Sequence, residues 1–201
     1  MLLVKRIPAA AGLGGASSDA AAALVAAHEA WQLGWPRQRL VELAARLGSD
    51  VPFFLTRGAA VCRGRGEKIE PFAPPRIHAV IARPPVGLST PEVYSACRPA
   101  GATGEAAKLV ADLSRGNTAA AAGRLNNGLQ DAAARLTPWI KRLQQEFERQ
   151  DVVGHQMSGS GSSYFGICRT ARHARRLAAR LRACNMGAVF AATTAVGHWN
   201  E

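Results

Sequence analysis

Leu40, Leu43, Ala44 and Leu47 recur at i, i+3, i+4 and i+7, the spacing of one helix face. Pro36 opens that helix and Gly48 closes it. Upstream, an alanine-rich run predicts a helix over 18–33 ending at Gly34, and the apolar run 2–7 predicts a short strand. An apolar run over 51–55 follows Asp50 directly, so that the core would fix the acid's position. Residues 58–62 read as a strand and 63–66 as a turn.

The Pro-rich stretch 67–76 reads as a domain boundary, with residues 1–66 as one domain and 67–186 as a second. Beyond it come a buried strand over 77–82 and a helix capped by Ser89 or Thr90 with Pro91 in its first turn. A glycine break at 101–104 precedes a helix over 105–113, and a helical region over 118–136 is interrupted near 126–128. Thr137 caps a helix reaching Gln150. Strands over 152–157 and 164–168 flank a glycine-serine loop, Thr170 caps an Arg-rich helix, and a β-branched strand covers 187–196. Helices and strands mix without regular alternation. The pattern predicts an α+β protein of two domains.

Composition narrows the function classes. A net charge of +11 raises nucleic acid or polyphosphate as partners. The densest basic group, from Arg169 to Arg182, falls on one amphipathic helix without interleaved aromatics and reads as a solvated face rather than a nucleic-acid stripe. Cys62, Cys97, Cys168 and Cys184 lie far apart, which predicts reduced thiols in a cytoplasmic protein rather than a zinc site or disulfide framework. No apolar run is long enough to span a bilayer as a helix, so no membrane partner is expected.

The chemistry concentrates at residues 8–19, Pro-Ala-Ala-Ala-Gly-Leu-Gly-Gly-Ala-Ser-Ser-Asp. Gly12, Gly14 and Gly15 let a ligand approach the main chain, and Ser17, Ser18 and Asp19 are good N-caps for the alanine helix. Bare N–H groups at a helix N-terminus form an anion site. No lysine follows these glycines as a P-loop requires, and Ser17 stands where a dinucleotide fingerprint wants glycine.

Pro8-Ala9-Ala10-Ala11-Gly12-Leu13-Gly14-Gly15-Ala16-Ser17-Ser18 resembles the phosphate-binding motif of the GHMP small-molecule kinases. Gly48-Ser49-Asp50-Val51-Pro52-Phe53-Phe54 resembles the catalytic-aspartate stretch of one branch, whose members act on a cytidine-diphosphate-linked methylerythritol. Met157-Ser158-Gly159-Ser160-Gly161 is similar to the superfamily's third motif, a glycine loop beside the phosphate loop. The stretch 87–94, Gly-Leu-Ser-Thr-Pro-Glu-Val-Tyr, resembles that branch's segment after the domain boundary. The four motifs stand in the family's order across nearly the whole chain.

The resemblance implies a ribosomal protein S5 domain 2-like N-terminal domain, truncated here, and a ferredoxin-like α/β C-terminal domain. It also implies that the terminal strand, 187–201, returns to the N-terminal domain. The implied reaction is ATP-dependent phosphorylation of the substrate's 2-hydroxyl in non-mevalonate isoprenoid biosynthesis, by a monomer or homodimer using ATP and Mg2+. Residues 8–18 would hold the ATP phosphates, supported by Ser158, Gly159, Ser160 and Gly161. Asp50 would accept or orient the hydroxyl, and Tyr94, with Pro91 beside it, would stack on the cytosine. A core role for Tyr94 is the alternative, and Ser18 is a candidate metal ligand without an acidic companion.

Asn126-Asn127-Gly128-Leu129-Gln130 departs from the family's acidic Asn-Asp-Leu-Glu and receives no role. The family's first strands, active-site lysine and Gly-Tyr-His segment have no counterpart, and Lys5 is not that lysine. The chain as written is therefore expected to be poorly soluble or inactive, with a start codon upstream. Other readings are a homoserine- or mevalonate-type kinase, or a basic nucleic-acid-binding protein.

Overall fold

A computed structural model describes residues 2–56, 58–66, 68–98 and 105–194. The chain divides into two units, one containing residues 14–73 and the other residues 7–13 and 74–194. The glycine break at 101–104 and the end of the last expected strand lie outside the described residues.

In the first unit, α1 (Gly15–Ala30), α2 (Arg37–Leu47) and the short α3 (Val51–Leu55) precede a hairpin of β1 (Ala59–Arg63) and β2 (Lys68–Phe72). Its core is small: Ala21, Ala44 and Val51 are buried, with Leu24, Phe54 and Leu55 packed against them. Helix α1 starts three residues earlier than expected. Gly14, left-handed at φ +67°, is its N-cap, so Ser17, Ser18 and Asp19 sit inside the helix rather than capping it. The Ser18 hydroxyl instead donates back to the Gly15 carbonyl at 2.9 Å.

One further expectation fails in this unit. Residues 2–7 form no strand, because no strand runs alongside them among the described residues, and Leu2 is 88% exposed. The chain passes between the units at 73/74, within the stretch 67–76 read as the boundary, and β2 occupies the first part of that stretch and pairs in antiparallel register with β1. Pro71 is tolerated there in a two-stranded edge.

The second unit is built on β3 (His78–Arg83), β4 (Gly154–Met157), β5 (Tyr164–Cys168) and β6 (Ala188–Thr193), with strand order β4-β5-β3-β6. All three pairings are antiparallel. With helices inserted between β3 and β4, and α9 (Ala171–Ala183) between β5 and β6, this is the ferredoxin-like order anticipated from the motifs. Between β3 and β4 lie α4 (Thr90–Ala96), α5 (Glu105–Ser114), α6 (Thr118–Ala122), α7 (Gln130–Leu136) and α8 (Pro138–Glu148). The expected return of 187–201 to the N-terminal domain falls in part on residues 195–201, outside the described ones; within them β6 stays in this sheet. It pairs with β3 along its length, from Ala188 opposite Arg83 to Thr193 opposite His78. Its β-branched and aromatic residues mark a strand, but they carry no information about which partner it takes.

The core of this unit joins Val80 and Ala82 of β3, Ile140, Leu143 and Phe147 of α8, and Leu177 and Leu181 of α9. Gly166 on β5 makes room for Phe147, since a Cβ there would lie 2.7 Å from its ring. Helix α9 turns Ala174, Leu177, Ala178 and Leu181 inward, while Arg172, Arg175, Arg176 and Arg180 are exposed, as its amphipathic pattern predicts. Thr170 caps it by accepting from the His173 N–H at 3.1 Å.

Phe147, Tyr164 and His155 form an aromatic cluster, with ring centroids 5.3 to 6.1 Å apart. The His155 Nδ1 lies 3.1 Å from the Tyr164 hydroxyl. Burial pushes the tyrosine up to about 12 and holds the half-buried imidazole below its ordinary 6.5, with the Glu148 charge only partly opposing the latter shift. An unfolded imidazole titrates at its ordinary value, so between that value and the lower folded one the unfolded chain binds more protons. Stability is therefore expected to be complete above the ordinary histidine range and to fall as pH drops through it. Thermal midpoints measured between pH 7.5 and 5 should show this decline, and His155→Gln should flatten it. An unchanged slope in the variant would exclude His155 as its source.

Candidate functional site

Within the second unit, residues 7–13 form a strap laid against the loop that joins β4 to β5. The Ser163 N–H donates to the Ala11 carbonyl at 3.1 Å, and the Ser158 hydroxyl donates to the Gly12 carbonyl at 2.8 Å. Leu88 N–H reaches the Ala10 carbonyl at 3.4 Å, which ties in the segment before α4. The approach is close enough to demand glycine. A Cβ on Gly12, which has φ +68°, would stand 2.2 Å from the Ser158 carbonyl oxygen and 2.6 Å from that of Gly161. Gly159 faces back across the contact, its φ also positive.

The two loops are braced from behind. Ser158 N–H donates to the Ser163 carbonyl at 2.9 Å, and Gly161 N–H to the Ser158 carbonyl at 2.9 Å. Ser162 donates to the Val86 carbonyl, and Ser160 and Thr90 share a hydroxyl contact of 2.9 Å. All four residues assigned to phosphate-loop support (Ser158, Gly159, Ser160 and Gly161) thus belong to one structure that meets Gly12.

Sequence reasoning missed the residue that anchors this loop. The Asn127 carboxamide donates to the carbonyls of both Met157, at 2.9 Å, and Gly159, at 2.8 Å, while its Oδ1 accepts from Leu129 N–H at 2.9 Å. Gln130 adds an acceptor for the Met157 N–H at 3.0 Å. The stretch left without a role is therefore structural support for the glycine loop. The acidic pattern's departures fall at Gly128 and Gln130, not at Asn127, so they gave no signal of this role.

The strap is continuous with the first unit through Gly14. The sign of φ alternates along the chain, positive at Ala10, Gly12 and Gly14, a local backbone habit of anion-binding turns. The chain then enters α1, sixteen residues long, whose first N–H groups and dipole favour negative charge. Taken each by itself, the main-chain donors of residues 10–13 and those of the first turn of α1 are of the kind that suits phosphate oxygens.

Within the first unit, Phe54 of α3 fills the space beside Gly14, where a Cβ would lie 2.5 Å from its ring. This packing seats the Asp50 segment against the start of α1. Asp50 is the N-cap residue of α3, and its exposed carboxylate makes no capping hydrogen bond. It is close enough to Cys62 on β1 that its charge, after burial, raises that thiol's pKa. Asp19 is engaged by Lys5 in an ion pair. Among the described residues no group of three His, Cys, Asp or Glu side chains is placed to hold a metal. No such group surrounds Ser18 among the described residues.

Tyr94 is 62% exposed on α4, which settles its standing against the core; Val93 beside it is fully buried and Pro91 sits in the first turn. The buried tyrosine of the chain is Tyr164. His28 and His78 serve locally, accepting from Trp35 N–H and meeting the Thr193 hydroxyl.

Residues 1–58 match the family described as GHMP kinases N terminal domain, and residues 106–185 match GHMP kinases C terminal. The 4-diphosphocytidyl-2-C-methyl-D-erythritol kinase of Pelotomaculum thermopropionicum is 42% identical over 183 residues, covering 90% of this chain and 64% of that protein. A crystal structure of 4-(cytidine 5'-diphospho)-2C-methyl-D-erythritol kinase superimposes with a TM-score of 0.81 at 39% identity, over 96% of this chain and 69% of the other. The homoserine kinase of Cytophaga hutchinsonii, at 18% identity and a TM-score of 0.77 over 96% of this chain and 68% of its own, shares the fold. The chain spans less than two thirds of the length of the curated relatives it matches.

Proposed function

We propose that this chain, which belongs to the GHMP kinase family, carries the phosphate-holding and catalytic parts of a 4-diphosphocytidyl-2-C-methyl-D-erythritol kinase. The observation that carries this reading is the interlock of the Gly12 strap with the loop from Ser158 to Gly161. It fixes residues 10–12, part of the stretch 8–18 that would hold the ATP phosphates. Phosphoryl transfer asks the protein mainly for positioning and charge stabilisation, which rigid main-chain donors supply without reorganising. Asp50, exposed and free of a capping bond, would orient the acceptor hydroxyl and take its proton as the new phosphorus–oxygen bond forms. Mg2+ would arrive on the nucleotide, neutralising phosphate charge, since magnesium is commonly held by substrate phosphates with few protein ligands.

The substrate class rests on the cytidine-linked relatives at 39–42% identity, against 18% for the homoserine kinase. Tyr94, exposed and rigidly mounted through Val93, is suited to stacking on a pyrimidine, with Pro91 beside it. The test is a substrate panel with ATP, run on the 201-residue chain and on the chain extended to its relatives' length, with ADP release as readout. Phosphorylation of the cytidine compound at its 2-hydroxyl is expected, with homoserine and mevalonate left untouched. Turnover of either of those with the cytidine compound ignored would overturn the assignment.

A further inference from the structure

In the second unit a cavity of about 490 Å3 opens where residues 125–135 pass strand β4. That volume lies in the range of small-molecule sites. Arg98 and Arg135 stand in its wall against one carboxylate, Asp131, and all three side chains are exposed. Arg135 is oriented by a hydrogen bond to the Ala96 carbonyl, while Arg98 and Asp131 have no partner among the described residues. Gln156 also lines the cavity. It is only 8% exposed, yet its side-chain amide has no protein partner among the described residues. Its amide adds an uncharged polar group to the wall, able to donate to an anion.

The positive balance and the fork geometry of two guanidiniums select an anion with several oxygens. Asn127 gives the cavity a connection to the rest of the unit. The residue lines the cavity, and its carboxamide holds the carbonyls of Met157 and Gly159 in the loop that seats Gly12. We infer that this cavity is an effector site for a small anion bearing a phosphate or diphosphate group, separate from the glycine loops. Its occupant steadies the loop from Ser158 to Gly161 through Asn127.

The test uses inorganic pyrophosphate, titrated calorimetrically into the chain with a non-hydrolysable ATP analogue present in excess to fill the glycine loops. One pyrophosphate should still bind. Arg98→Gln should weaken it about tenfold, the loss of one charge-assisted contact. Asp131→Asn should tighten it by about two- to fivefold by removing a like charge. Both residues are exposed, and misfolding cannot produce opposite signs. Amides of residues 158–161 should exchange more slowly when pyrophosphate is bound. The proposal is overturned if the analogue abolishes binding, if both variants keep wild-type affinity, if loop exchange is unmoved, or if sulfate binds as tightly as pyrophosphate. The arginine and aspartate variants do not touch the glycine loops, so a failed substrate panel would leave this result intact.

Discussion

Gly12→Ala is expected to break the seat of the strap against the β4–β5 loop. The left-handed backbone alone costs an alanine about 1–2 kcal/mol. The new methyl would also collide with main-chain atoms of Ser158 and Gly161, which have no flexible end to give way. Overpacking of this kind adds about 1–3 kcal/mol, so that the total is on the order of 3 kcal/mol. The core of α8, α9 and the sheet does not include this contact, so the unit should stay folded while the strap detaches. Amide exchange at residues 11–13 and 158–163 should accelerate by roughly a hundredfold. Affinity for an ATP analogue should fall in parallel. Gly128→Ala is the control, because its methyl would meet nothing within 4 Å. Equal exchange in Gly12→Ala and the wild type would mean that the interlock is not what positions the loop.

This contact shows what the sequence could and could not convey. Each glycine loop was readable from composition, because few residues besides glycine accept the required angles or the close approach. Thr137 and Thr170 caps were equally readable, since a cap is local chemistry. Asn127 was not, because its partners are carbonyls 30 and 32 residues away and no periodicity reports such a bond. The start of α1 was misplaced for a related reason. Ser17, Ser18 and Asp19 looked like caps locally, but Phe54 closes over Gly14 and the helix begins there. Strand β6 was recognisable as a strand from its residue types, whereas its partner was decided by the sheet. Asp50 was legible only with its neighbours, as an acid ahead of an apolar run that the core of the first unit buries in part.

Asp50→Asn is expected to reduce phosphoryl transfer in the turning-over form of the chain by about 10²–10⁴-fold, the range for loss of a positioned general base. The KM for ATP and the thermal midpoint should hardly change, because the carboxylate is exposed and caps nothing. A second readout is independent of turnover. The Asp50 charge contributes, after burial, to raising the Cys62 thiol, so its removal should speed alkylation of Cys62 as followed by peptide mass. Faster Cys62 labelling with turnover unchanged would show that the carboxylate sits where described and plays no catalytic part. Wild-type turnover in Asp50→Asn would remove the base assignment outright.

The strap has one more consequence, in the order of events during synthesis. Gly12 and the Ser158 that holds it are separated by 146 positions. At ribosomal rates of roughly 5–20 residues per second, on the order of ten seconds or more pass between the emergence of the two. For that interval the glycine strap is a nascent peptide with nothing to dock on, while residues 14–73 are already free to fold. Docking must wait for the β4–β5 turn, which makes the phosphate-holding backbone among the last parts of the chain to acquire its shape.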